Sequence, residues 1–160
     1  FNTRVRMPHG FRIAQPAREL EFHTPTGRAE FSSVPLPARD PGFLALQTMR
    51  SHDQWNTTIY SDNDRYRGVS NLRTLVFMNA ADMAERGLAE GDLVDIVATS
   101  KDGSKRSLLG YRALAYDLPK GDAAGYMPAI NAPRGRADSS AQSDQPLMRH
   151  LRARMGAPGS

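Results

Sequence analysis

The sequence predicts a small, mainly β domain whose strands are joined by turns and short helices. Three observations carry that expectation. Residues 72–99 contain two strand-like apolar runs, Leu75-Val76-Phe77-Met78 and Leu93-Val94-Asp95-Ile96-Val97, the second rich in β-branched residues. Turn chemistry recurs along the chain, at Thr24-Pro25-Thr26-Gly27, Glu90-Gly91-Asp92, Asp102-Gly103 and Pro119-Lys120-Gly121-Asp122. Apolar segments are short throughout, and none approaches the roughly 20 residues needed to span a bilayer as a helix.

Taken in order, Phe1 to Pro16 is polar and irregular, with no core of its own. Leu20–Phe22 and Ala29–Phe31 flank a Thr-Pro-Thr-Gly turn, with Pro at the second position and Gly at the fourth, so a β-hairpin is expected there. Val34 to Pro41, with three prolines, reads as an extended connector. The organisation expected is therefore a lead-in segment over 1–41 and a barrel domain over 42–160. Phe43–Leu46 is the first strand of that domain. Asn79 bounds the strand after Met78, and an Ala-rich segment with Asp82 and Glu85 predicts a short helix at about Ala81–Arg86, closed by Gly87, where positive φ suits a helix C-terminus. Leu93–Val97 is a strand, and Ser104–Ala115 is apolar enough for one or two more. Arg134 to Gln145 is poor in apolar residues and is expected to be a mobile excursion. In the tail, Leu147, Leu151 and Met155 suit a helix by their spacing of four, while the alternation of odd positions suits a strand.

The central order of strand, Asn, short helix, Gly, turn, Gly-Asp and strand resembles the half-unit of a double-psi β-barrel. Two such units interlock into a closed six-stranded barrel. A strand–helix–strand crossover in another α/β domain fits the same order of parts.

Gln47 to Asn71 is a polar stretch too long for an ordinary connection, and loops of that length are usually functional or disordered. Trp55, Ile59, Tyr60 and Tyr66 argue against disorder, because they offer apolar area to anchor it. Arg50 can fork onto a phosphate or carbonyl. Thr48, Ser51, Gln54 and Asn56 supply neutral donors and acceptors suited to a heterocycle edge. Trp55 adds a flat face, although a core-filling Trp would look the same in sequence. Neighbouring His52 and Asp53 share no ligand spacing with His9, His23 or His150, so neither catalysis nor metal binding is expected of them. Asp62-Asn63-Asp64 lacks the Gly and Glu that a calcium loop requires at its sixth and twelfth positions.

Of the 21 basic residues, 18 are Arg, and the net charge is +4. They are dispersed apart from Arg149, Arg152 and Arg154, which argues against a nucleic-acid partner. With no cysteine, the chain offers no disulfide, no thiolate ligand and no iron–sulfur ligand. It starts at Phe1 without an initiator Met or a targeting pattern, so either a processed chain or a piece cut from a longer polypeptide is expected. A cytoplasmic setting is a separate expectation that this pattern does not decide.

Four blocks in fixed order make the whole chain resemble a known family: TPTGRAEF at Thr24–Phe31; LQTMR at Leu46–Arg50; VFMNAAD at Val76–Asp82 with GLAEGD at Gly87–Asp92; and GYMPAIN at Gly125–Asn131. It is similar to the C-terminal molybdopterin-dinucleotide-binding domain of the dimethyl sulfoxide reductase superfamily, within the formate-dehydrogenase-like group labelled FdhF/YdeP. That resemblance implies a bis-molybdopterin guanine dinucleotide cofactor of Mo or W, held between this domain and the N-terminal domains of the same enzyme. It implies binding by Arg50, Ser51, Gln54, Trp55, Asn56, Tyr126 and Asn131, with no catalytic residue and no metal ligand in this chain. Gln54 stands where formate dehydrogenases commonly carry His, a departure from the family pattern. Two rivals use the same barrel. One is a partner-recognition module like the N-terminal domains of AAA-type ATPases. The other is a small decarboxylase needing an internal Gly-Ser processing site, for which Gly103-Ser104 is the sole internal match and reads better as a hairpin turn.

Overall fold

The computed structural model describes residues 2–33, 35, 38, 40–56, 58–133, 135, 138–139 and 151–159, without the side chain of Leu151. The chain divides into two compact units, Phe1–Pro37 and Ala38–Ser160.

The first unit holds two single 3-10 turns, Arg4–Arg6 and Pro16–Glu19. The Thr24–Gly27 turn forms, with Gly27 N–H donating to Thr24 O at 3.1 Å, but the expected hairpin does not: its flanks pair into no strand. The physical reason is a lack of anything to bury. Phe31 is fully exposed, and Leu20 is exposed in a left-handed conformation that ends the preceding turn. Three-residue arms with no covered face give too little to hold a two-stranded ribbon.

The second unit is a closed barrel of six strands: β1 (Leu44–Met49), β2 (Leu75–Met78), β3 (Leu93–Thr99), β4 (Lys105–Ala115), β5 (Asp122–Tyr126) and β6 (Leu151–Gly156). Their order around the barrel is β1-β5-β2-β4-β3-β6. Advancing every strand by three places along the chain reproduces the same ring, so β1–β3 and β4–β6 are interlocked halves. In one half β1 and β2 flank β5; in the other β4 and β5 flank β2. This is the double-psi arrangement.

Burial explains the strand sequences. Val76 and Met78 point into the barrel with Leu44, Leu46, Val94, Ile96, Ala113, Ala123 and Ala153. Leu75 and Phe77 point the other way, into a second cluster with Val69, Ala124 and Tyr126, flanked by Leu72. Covered on both faces, β2 reads as an unbroken apolar run. Covered on one face, β3 alternates, with Val94, Ile96 and Ala98 inward. β4 is a single strand where the sequence allowed one or two. Its extra residue is absorbed by a register shift opposite Val94–Ile96, near Gly110, whose φ is +68° and whose N–H donates to Asp95 Oδ1 at 2.9 Å. The ambiguous tail is a strand as far as it is described, because β1 and β3 each present an open edge and β6 pairs with both. Leu147 and most of the expected Arg134–Gln145 excursion lie outside the described residues.

Helix α1 (Ala80–Glu85) starts at Asn79, whose Oδ1 accepts from Ala81 N–H at 2.8 Å while its Nδ2 donates to Leu118 O at 2.6 Å. Buried Asp82 accepts from Gly121 N–H at 2.6 Å. The helix thus fixes the turn before β5, and through it the position of β5 beside β1.

Val94→Asp is expected to abolish cooperative unfolding at neutral pH, because an unpaired carboxylate among apolar barrel residues costs several kcal/mol. Leu109→Asp, at a side chain 71% exposed, should stay within about 0.5 kcal/mol of wild type. Urea titration followed by circular dichroism checks both, and a normal transition in Val94→Asp would contradict the barrel packing.

Candidate functional site

The parallel pairing of β1 with β5 sets Thr48 opposite Gly125 and Met49 opposite Tyr126. The ladder continues one step, with Met127 N–H donating to Met49 O at 2.9 Å. Loop 50–74 and segment 127–131 therefore leave the barrel side by side from one rim. Gly125 permits this approach: a Cβ there would lie 2.3 Å from Ile130 Cδ1 and 3.0 Å from Leu75 O.

The seven residues singled out in the sequence divide into two groups. Arg50, Trp55 and Asn56 are exposed on the rim, with Trp55 73% exposed and Asn56 at φ +58°. Asn131 sits half-buried in the 3-10 turn Ala129–Asn131, and its Oδ1 is buried with no hydrogen-bond partner among the described residues. Ser51, Gln54 and Tyr126 lie beneath this surface. Gln54 Oε1 accepts from Ser51 N–H at 3.1 Å, and its Nε2 donates to Asn56 O and to Met127 O, each at 2.9 Å. Its amide therefore stitches the loop to itself and to the segment after β5. Tyr126 is a core residue, its ring edge-on to Phe77 and its hydroxyl donating to Asp64 Oδ2 at 2.9 Å.

Two residues below the rim organise it, and sequence reasoning assigned neither this role. Asp64 is fully buried and accepts from Tyr126 and, at 2.5 Å, from Arg67 Nη1, while its Oδ1 accepts from Tyr66 N–H. Burial pushes its carboxyl up, but these bonds outweigh that and hold it below the ordinary carboxylate range. Burial and the bond to Asp64 together push the Tyr126 phenol well above its ordinary range. Arg73, the last basic residue before β2, is 9% exposed and reaches Ser51, Gln54, Ser61 and Met127. The sequence offers only one hint of it, an arginine set against a wholly apolar strand, and burial of the charge depends on how the loop folds. His52 packs edge-on to Tyr66 and meets Arg65 Nη2 at 2.7 Å.

The loop is ordered by short bridges, Trp55 with Ile59 and Asp64 with Val69, and not by a core of its own. Chemically, the rim offers an exposed guanidinium, an indole face and the amide of Asn56, while the buried Asn131 Oδ1 has no hydrogen-bond partner among the described residues. Such a set suits a flat, polar heterocycle carrying anionic groups.

A family model described as "Molydopterin dinucleotide binding domain" matches residues 44–141. An uncharacterized oxidoreductase of Mycobacterium tuberculosis is 42% identical over 165 residues, which cover 97% of this chain and 21% of that protein. Protein YdeP of Escherichia coli is 36% identical over 138 residues, which cover 82% of this chain and 18% of that protein. Among solved structures, acetylene hydratase from Pelobacter acetylenicus aligns with a TM-score of 0.47 at 11% identity, over 71% of this chain and 18% of that one. The chain spans about a fifth of the length of the curated relatives it matches.

The Asp64–Tyr126 pair makes stability depend on pH at both ends. The folded pKa of Asp64 is lowered, so its contribution is present above about pH 4 and is lost as pH falls through the folded value. The folded pKa of Tyr126 is raised, so its contribution is intact below about pH 10 and is lost as pH rises further. Tyr126→Phe is expected to cost about 1.5–3 kcal/mol at pH 7, as befits a bond to a charged acceptor. That deficit should shrink as pH falls below about 4 and on through the lowered folded pKa of Asp64. Urea unfolding between pH 3 and 7 measures it, and a pH-independent deficit would contradict the role given to Asp64.

Proposed function

Because this chain belongs to the molybdopterin dinucleotide binding domain family, we propose that its rim holds the pterin part of a molybdopterin guanine dinucleotide within a larger oxidoreductase. In this reading the cofactor is the bis form, carries Mo or W, and is shared with the other domains of a formate-dehydrogenase-like polypeptide. The bound metal supplies the redox chemistry; this chain supplies binding and orientation.

The observation that supports the reading is the convergence of two segments distant in sequence, joined where Met127 N–H donates to Met49 O and Gln54 Nε2 donates to Met127 O. The second segment holds a buried acceptor that has no partner among the described residues. Asn131 Oδ1 has no donor among the described residues. A buried acceptor left unpaired costs roughly 1–3 kcal/mol, and an N–H on a pterin ring is the kind of donor that removes the cost. Arg50 offers a forked charge to a phosphate or ring carbonyl, Asn56 offers both a donor and an acceptor, and Trp55 offers a flat face. Ser51, Gln54 and Tyr126 act one layer down: Ser51 and Gln54 keep the loop in shape, and Tyr126 anchors the strand from which the second segment leaves.

In the full-length protein, Arg50→Ala is expected to lower cofactor occupancy by the equivalent of about 1.5–3 kcal/mol, the range for a hydrogen bond to a charged group. Pterin released by denaturation and metal content per folded protein are the readouts. Full loading in Arg50→Ala would remove Arg50 from the site, and a wild-type protein carrying no pterin dinucleotide would refute the reading as a whole.

A further inference from the structure

We propose that Arg73 is the positioning residue of this site: one buried guanidinium sets loop 50–61 and segment 127–131 in the relation that cofactor binding requires. The inference rests on the cofactor reading above and adds a residue that touches no ligand.

The contacts of Arg73 fall on three separate pieces of chain. Nη1 donates to Ser51 Oγ at 3.0 Å and to Ser61 O at 2.8 Å. Nη2 donates to Gln54 Oε1 at 3.1 Å and to Met127 O at 2.6 Å. The guanidinium lies 4.1 Å from the ring centre of Tyr60 and 5.0 Å from that of Tyr126. Every rim residue assigned to binding is close in sequence to one of these anchors. Arg50 precedes Ser51, Trp55 and Asn56 follow Gln54, and Asn131 ends the short turn that begins just after Met127. Fixing the anchors therefore fixes where the exposed side chains start.

The energetics point the same way. Arg73 is buried, no described carboxylate pairs with it, and its Nε has no hydrogen-bond partner among the described residues. A buried charge held by neutral oxygens and ring faces is a poor way to gain stability, because desolvating an ion is costly and apolar residues of like volume often do as well or better. What apolar residues cannot do is hold four acceptors on three segments at once. The planar fork of arginine can, and a lysine ammonium, a point charge, cannot reproduce it.

The test uses the full-length protein with Arg73→Met, which fills the volume without donors, and Arg73→Lys, which keeps the charge. Arg73→Ala with millimolar guanidinium tests whether the missing group can be restored. The readouts are cofactor loss on dilution, hydrogen exchange of the 51–56 amides in the cofactor-free protein, and the cofactor-free melting temperature. Expected are cofactor loss faster by about tenfold or more in both the Met and Lys variants, the scale of removing a group that orients a first layer of ligands. Faster exchange over 51–56 should accompany it, and guanidinium, but not sodium chloride at equal concentration, should restore retention in Arg73→Ala. If Arg73→Met does not fold, Arg73→Lys and the guanidinium rescue decide alone. Wild-type retention in the folded variants would overturn the inference, and so would cofactor loss that merely tracks a lower melting temperature without rescue. A wild-type protein without a pterin dinucleotide would instead overturn the cofactor reading, and this inference with it.

Discussion

The parallel pairing of β1 with β5 is the constraint on which the rest depends. The two strands lie far apart in sequence and run in the same direction, so the chain must traverse β2, α1, β3 and β4 before β5 can dock. Once it does, five strands form one sheet that β6 closes by pairing with β1 and β3, and β1 and β5 release their following segments at the same rim. The same pairing explains why position 125 carries no side chain, since Ile130 and the Leu75 carbonyl crowd it. It also gives α1 a task beyond connection: through Asn79 and Asp82 the helix holds the turn that starts β5.

The long loop after β1 is held in place by ionic and polar anchors more than by apolar ones. Asp64 and Arg73 are both buried beneath it, and they are compensated differently. Asp64 has a full complement of donors, among them a guanidinium and a phenol, and ties the loop to β5 through Tyr126. Arg73 has acceptors on three segments but no counter-ion among the described residues. The first arrangement favours a fixed fold. The second favours a fixed relation between segments that carry the exposed groups, at some expense of stability.

The loop also closes the core. Val69 and Leu72 cover the outer faces of Leu75 and Phe77, which would otherwise face water from a strand buried on its inner side. One stretch of chain therefore completes the second hydrophobic cluster and presents Arg50, Trp55 and Asn56 outward. Binding surface and fold are coupled there, so that loosening one end of the loop bears on the packing at the other.

Local chemistry was legible in the sequence by itself: the runs of β2 and β3, the Ala-rich helix and Gly stop of α1, the Gly-Asp turns, and the stretch after β1 as the place where polar chemistry collects. These are set by neighbours within a few residues, through turn geometry, capping and the period of burial. The tertiary structure decided the rest. The arms of the expected Thr24–Gly27 hairpin do not pair, because propensity without a face to bury does not hold strands together. The tail became β6 in preference to a helix, because two open edges offered it hydrogen bonds. Ser51, Gln54 and Tyr126 went under the rim and Arg50, Trp55 and Asn56 stayed on it, a sorting no spacing rule contains. Arg73 became the hub because its partners lie at 51, 54, 61 and 127, and contacts that distant in sequence exist only after the barrel has closed.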